Sequence, residues 1–178
     1  MDSSVNLYLV GFMGTGKSAV GWHLAQKLGL WLVDSDREIV RREGRSIVEI
    51  FCKEGELAFR EMERSFVEGG HAESGLVVSC GGGLVMREGM MDALKKRGVV
   101  VCLHASAETI LERTQGRKHR PLLNTENPLE KIRELLALRE PVYRQAHGIV
   151  LTGGRPMPEV VDHVLRVYRD CAAEFVKR

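Results

Sequence analysis

A short apolar run, Leu7-Tyr8-Leu9-Val10, leads directly into Gly11-Phe12-Met13-Gly14-Thr15-Gly16-Lys17-Ser18, and a helical pattern follows. No other stretch restricts the fold as strongly. It fits G-x-x-x-x-G-K-[ST], with Gly11 and Gly16 as the fixed glycines, a pattern whose backbone N–H groups wrap a chain of phosphates. Glycines permit the close approach. The N-terminus of the following helix adds unpaired donors and a favourable dipole. Gly14, Thr15, Gly16, Lys17, Ser18 and Ala19 are therefore read as the nucleotide-binding segment. Lys17 is expected to reach the β- and γ-phosphates, and the Ser18 hydroxyl to bind Mg²⁺. The alternative is an ordinary glycine-rich β–α turn. A strand before and a helix after are the context that favours a phosphate site.

A chain of 178 residues fits a single domain, 1–178, long enough to bury a core. Its 44% apolar and 28% charged residues are those of a globular protein in water. The formal net charge of +2 gives no strong field to recruit nucleic acid or membrane, and neither partner is expected. Cys52, Cys80, Cys102 and Cys171 are scattered without C-x-x-C spacing. That pattern argues against a zinc site or a disulfide framework and suits a reducing compartment. Cys80 and Cys102 lie in or beside apolar runs and read as small core residues rather than nucleophiles. No targeting segment is visible ahead of the first apolar run, so a cytoplasmic protein is expected. No apolar stripe exceeds what a core needs, and a monomer is the default.

Apolar runs at 6–10, 31–33, 76–79, 99–103 and 149–151 read as strands. They are continuous rather than alternating, as in strands covered on both faces. Helical patterns occupy 17–28, 37–42, 46–53, 56–68, 87–96, 107–113, 127–140 and about 158–175. This alternation predicts a doubly wound α/β domain with a parallel sheet and right-handed crossovers. Such sheets bind ligands at the carboxyl ends of their strands. Two segments exceed a simple crossover. Residues 34–75 hold three helical patterns, and 115–126 is basic, polar and poor in apolar residues, as in a loop that closes over a site.

Several residues near the expected strand ends carry chemistry. Val33-Asp34-Ser35-Asp36 places two carboxylates at i, i+2, which face the same way on a strand. Asp34 is a candidate ligand for Mg²⁺, directly or through water. Asp36 lies further out, as a group to orient an acceptor hydroxyl or take its proton. The structural alternative is N-capping of the next helix by Ser35 or Asp36. Ser79-Cys80-Gly81-Gly82-Gly83 ends the third strand, exposing backbone N–H groups to a ligand, with Ser79 a candidate donor to the metal's water shell. Arg60 lies three residues before Glu63 on a helical pattern. The pair is either a surface ion pair or a guanidinium held in place to grip a carboxylate. Arg139 continues the stripe Leu129, Ile132, Leu136. It either reaches an anion in the cleft or snorkels to solvent. Pro141 is expected to end or kink that helix. Arg117-Lys118-His119-Arg120 is a solvated or nucleic-acid-binding run, or, beside a phosphate loop, a lid whose arginine stabilises the transferring phosphoryl.

Taken in order, G-F-M-G-T-G-K-S, D-S-D, F-R-E-M-E, S-C-G-G-G, R-P-L-L and L-R-E-P-V-Y resemble the shikimate kinases, small P-loop enzymes of aromatic amino-acid biosynthesis. The resemblance runs from Asn6 to about Leu165. It implies a five-stranded parallel sheet in the order 2-3-1-4-5, related to nucleoside monophosphate kinases. It also implies phosphoryl transfer from ATP to the 3-hydroxyl of shikimate, with Mg²⁺. By matching position, Lys17 and Ser18 serve phosphate and metal, and Asp34 the metal shell. Asp36, Arg60, Gly82 and Arg139 contact shikimate, Gly81 and Gly83 shape that loop, and Glu63 orients Arg60. Arg120 matches the lid arginine at the phosphates, Arg113 a position near adenine, and Arg155 the same region. Cys80 stands where many members carry threonine.

The catalytic set expected from both lines is Lys17, Asp36 and Arg120, with Arg60 and Arg139 gripping an acidic acceptor. Two other readings compete. One is a related small-metabolite kinase, of gluconate or nucleoside monophosphate type, although 34–75 shows no specific base-binding feature. The other is a nucleotide-binding regulator without turnover, which the presence of Asp36 and both arginines disfavours.

Overall fold

The computed structural model describes residues 5–115 and 125–175. Five strands form one sheet: β1 (Asn6–Val10), β2 (Trp31–Asp34), β3 (Leu76–Ser79), β4 (Gly98–His104) and β5 (Gly148–Leu151). Among the described residues the four pairings within the sheet are parallel, in the order β2-β3-β1-β4-β5. The expected architecture and strand order are therefore observed.

The sheet divides two apolar layers by the period-2 alternation of its strands. Tyr8, Val10, Val78, Val100 and Cys102 pack on one side, with Ile39, Ile50, Phe59, Phe66 and Leu94. Leu7, Leu9, Val77, Val99, Val101 and Leu103 pack on the other, with Val20, Leu24, Val160 and Val164. Burial on both faces explains why the central strands read as unbroken apolar runs. The expectation fails at the two edges. In β2, Trp31 is 79% exposed and Leu32 is also exposed, and in β5 Ile149 and Leu151 are exposed. An edge strand has a neighbour on one side only, so its flanking helices cover it incompletely.

The helices are α1 (Lys17–Leu28), α2 (Ser35–Glu43), α3 (Ile47–Gly69), α4 (Met90–Arg97), α5 (Ala107–Thr114), α6 (Pro128–Tyr143) and α7 (Met157–Phe175). Their starts are set locally. Ser46 and Glu49 form a reciprocal capping box on α3. Ser106 accepts from Thr109 N on α5, and Asn127 caps α6 with Pro128 in its first turn. α3 contains the second and third helical patterns of the long excursion, separated by a break at Gly55 (φ 83°, ψ 175°). Some boundaries differ from expectation. The segment after the triple glycine makes a 3-10 turn at Leu84–Met86 before α4 begins. Pro141 lies inside α6, which continues to Tyr143, and Arg144 N still bonds Glu140 O. Proline removes only its own N–H, so one missing bond near a helix end is tolerated.

Candidate active site

Parallel pairing brings the carboxyl ends of β1, β2 and β3 together, and Asp34 lies opposite Ser79 in register. A cavity of about 910 Å³ opens there, lined by Gly14 to Val20, Asp34, Asp36, Arg60, Ser79 to Gly83, Arg113, Arg139 and Arg155, among others. It therefore gathers every expected site residue except Arg120. Arg120, with most of the expected lid, lies outside the described residues.

The phosphate loop is built as the motif requires. Gly16 takes a left-handed conformation at the start of α1. Thr15 Oγ1 donates to Phe12 O at 2.7 Å. Lys17 Nζ donates to Gly11 O at 2.8 Å and Phe12 O at 2.9 Å. The ammonium is thus held by two carbonyls of its own loop.

The carboxylate pair is arranged differently from the strand-end picture. Asp34 is the last residue of β2 and caps α2, accepting from Arg37 N at 3.2 Å. The cap is therefore Asp34, not Ser35 or Asp36. Asp36 sits in the first turn of α2, because capping turns the chain immediately after Asp34. Ser35, fully buried, instead accepts from Gly81 N at 2.8 Å and fastens α2 to the triple-glycine loop. This anchoring role had no sequence signal, because its partner is distant in the chain.

Asp36 Oδ1 is buried and has no hydrogen-bond partner among the described residues. Burial first, then the neighbouring Asp34 charge, push its carboxyl above the usual range, while Lys17 and Arg60 pull it back. A raised carboxylate with an unsatisfied oxygen is suited to accept a proton from a bound hydroxyl. A Cβ on Gly81 would overlap that same Asp36 Oδ1. We expect Gly81→Ala to shift the carboxylate and lower kcat by about 10²-fold. Thermal unfolding should change little, since the displaced atom is the end of a side chain.

Arg60 is gripped from two sides. Nε and Nη2 donate to Glu56, and Nη1 donates to Glu63 Oε2 at 2.7 Å. The remaining Nη1–Nη2 edge faces Gly83, where an added Cβ would stand 2.8 and 2.9 Å from those nitrogens. A side chain at position 83 would crowd this edge; glycine leaves it open for a carboxylate. Glu63 is only 2% exposed, so the surface ion-pair alternative is excluded for this pair.

Burial pushes the Glu63 carboxyl up to about 7, with Asp36 adding and Arg60 opposing. A carboxyl whose pKa is raised on folding stabilises the fold fully below its unfolded value and loses that contribution as pH rises through 7. The shift from 4.5 to about 7 corresponds to about 3 kcal/mol. His71 and His147, whose pKa values burial lowers, act in the opposite direction as pH falls. The expected result is that unfolding free energy declines between pH 5 and pH 8 more in the wild type than in Glu63→Gln. Equal slopes in urea titrations would remove Glu63 as the responsible group.

Arg139 projects from α6 into the cavity rather than to solvent. Its Nη1 donates to Gly82 O at 2.9 Å, and its guanidinium lies 5.0 Å from the centroid of the Phe12 ring. Tyr143 donates to the same Gly82 O at 3.4 Å. Phe12 therefore serves both halves: its carbonyl holds Lys17 and its ring supports Arg139. The motif pattern leaves that position unspecified, so spacing carries no signal for this role. Arg113 donates to Gly14 O, Thr152 Oγ1 and Thr152 O. Arg155 Nη1 lies 3.0 Å from His163 Nδ1 at the exposed rim. Cys80 and Cys102 are buried and free, and burial pushes both thiols well above the usual range. Both belong to the apolar core, as expected of small residues in or beside apolar runs.

A parallel sheet with a phosphate loop facing a buried carboxylate and two braced arginines defines a small P-loop kinase with an anionic acceptor. The family model described as shikimate kinase matches residues 13–169, and the chain belongs to the shikimate kinase family. It is 46% identical to the shikimate kinase of Acinetobacter baylyi over 93% of both chains. It is 51% identical to that of Thermus thermophilus over 88% of this chain and 86% of the relative. The structure of Acinetobacter baumannii shikimate kinase in complex with shikimate superimposes with a TM-score of 0.86, at 41% identity over 93% of each chain.

Proposed function

We propose that the chain transfers the γ-phosphoryl of ATP to the 3-hydroxyl of shikimate, giving 3-phosphoshikimate and ADP. The observation that carries the reading is the facing of two halves across one cavity. The phosphate loop forms the donor side, and Asp36, Arg60 and Arg139 form an acceptor side suited to a small hydroxylated carboxylate. Family membership names the substrate class. Gluconate and nucleotide acceptors fit less well, because two separated guanidinium groups and a buried carboxylate match a carboxylate and a hydroxyl.

The donor set fits Mg²⁺. Ser18, Asp34 and Ser79 line the cavity and each carries side-chain oxygen, and Asp34 spends one oxygen on its cap while a carboxylate has another to offer. Few protein oxygens, with the rest from phosphate and water, is the usual arrangement for this ion. Bound there, Mg²⁺ would neutralise charge on the β- and γ-phosphates.

In this reading Lys17 leaves its loop carbonyls for the phosphates, and Arg120 adds a further positive charge on the transferring group. Arg60 and Arg139 hold the shikimate carboxylate, which sets the hydroxyl in line. Asp36 orients that hydroxyl and takes its proton. Gly14 to Ala19, Arg113 and Arg155 line the nucleotide side, and Gly81 to Gly83 the acceptor side. We also propose a monomer working in the cytoplasm without nucleic acid or membrane; among the described residues, no helix is long and apolar enough to cross a bilayer. The test is ADP release by purified protein with ATP and Mg²⁺. It should depend on shikimate, and an acceptor panel led by gluconate or a nucleoside monophosphate would overturn the assignment.

A further inference from the structure

Thr152 follows β5 directly, is 4% exposed, and carries none of the roles above. Its backbone N–H donates to His104 O at 2.8 Å, which ties it to the carboxyl end of β4. Its hydroxyl lies 2.9 Å from Thr15 O in the phosphate loop and 3.4 Å from His104 O. A hydroxyl has one proton, and the shorter contact places it on Thr15 O. The same oxygen accepts from Arg113 Nη1 at 3.1 Å, and the Thr152 carbonyl accepts from Arg113 Nη2 at 2.8 Å. Arg113 Nη1 also lies 3.3 Å from Gly14 O.

One buried residue therefore joins three elements on the nucleotide side of the cavity: the end of the sheet, through its backbone, and the phosphate loop and α5, through its hydroxyl. Guanidinium N–H bonds lie in the plane of the group, so bonds to Thr152 fix the plane of Arg113 and leave its flat faces for stacking. The bond to Thr15 O fixes the loop whose N–H groups receive the phosphates. We infer that Thr152 is a positioning residue for the nucleotide, aligning the phosphate loop and the Arg113 plane together so that base and phosphates are received at one spacing. Its hydrogen bonds run to Thr15, His104 and Arg113, whereas on the acceptor side Arg139 is held by Gly82 and Asp36 sits in the first turn of α2. Its effect should fall on the nucleotide alone.

The inference rests on ATP as the co-substrate of this loop. The test compares the full chain with Thr152→Val, which keeps shape but removes donor and acceptor, and Thr152→Ser, which keeps both. KM for ATP should rise about tenfold in Thr152→Val, and ADP binding measured by calorimetry should weaken in parallel. KM for shikimate at saturating ATP should stay within about twofold, and Thr152→Ser should restore KM for ATP. An unchanged KM for ATP, an equal rise in both KM values, or a serine variant as impaired as valine would overturn it. If valine disturbs folding, Thr152→Ala removes the same hydroxyl without added bulk and reads the same quantities. A wild-type enzyme that does not use ATP would overturn the co-substrate reading instead, so the two failures are distinct.

Discussion

Replacing Asp36 by asparagine is expected to lower kcat by about 10²–10⁴-fold, the range for loss of a positioned general base, while KM for shikimate changes far less. Asparagine keeps the size and one hydrogen-bonding oxygen but cannot take a proton. In the wild type, burial and Asp34 raise the Asp36 pKa, and Oδ1 has no partner among the described residues. Both features strengthen it as a proton acceptor at a cost in stability, so Asp36→Asn should also unfold no more readily than the wild type. Steady-state kinetics with ATP saturating, together with thermal unfolding, check both statements. A change in KM alone would make Asp36 a binding residue and leave the proton to another acceptor.

Arg60→Ala is expected to lower kcat/KM for shikimate by about 10²–10³-fold, as when one partner of a desolvated charge pair is removed. KM for ATP should stay within about twofold, because Arg60 belongs to the acceptor side. Two losses combine. The open Nη1–Nη2 edge toward Gly83 disappears, and Glu63 loses its 2.7 Å partner while remaining buried. An unpaired buried carboxylate takes up a proton, so Glu63 should become neutral across the physiological range. Arg60→Lys should recover little, since an ammonium cannot reproduce a planar fork held at both edges. Full activity in the lysine variant would show that a point charge suffices.

Much of this architecture is legible in the order of residues. Central strands buried on both faces appear as uninterrupted apolar runs, and Leu7 to Val10 followed by the glycine loop marks the first β–α turn without ambiguity. Caps at Ser46, Ser106 and Asn127 are local, each three residues from the N–H it satisfies. The edge strands are less legible. Trp31 and Leu32 look like core residues because composition does not tell a strand where the sheet stops. Asp34 and Asp36 read in sequence as a strand-end pair, and both line the cavity. The capping bond from Arg37 N moves Asp36 into a helix, and a choice among adjacent capping residues depends on backbone angles that spacing does not determine.

By itself the chain order determined a phosphate loop at the start of a parallel α/β sheet, and family membership followed from short motifs in sequence. These signals rest on interactions between near neighbours, or on residue types that chemistry restricts strongly. Only the tertiary structure decided that Ser35 anchors Gly81, that Phe12 supports Arg139, that Glu63 is buried behind Arg60 and that Thr152 links Thr15 with Arg113. Each of these except the Arg60–Glu63 pair joins residues far apart in the chain. Burial and distance arise only when the sheet brings its strand ends together, and they convert ordinary serine, threonine and phenylalanine residues into parts of the site.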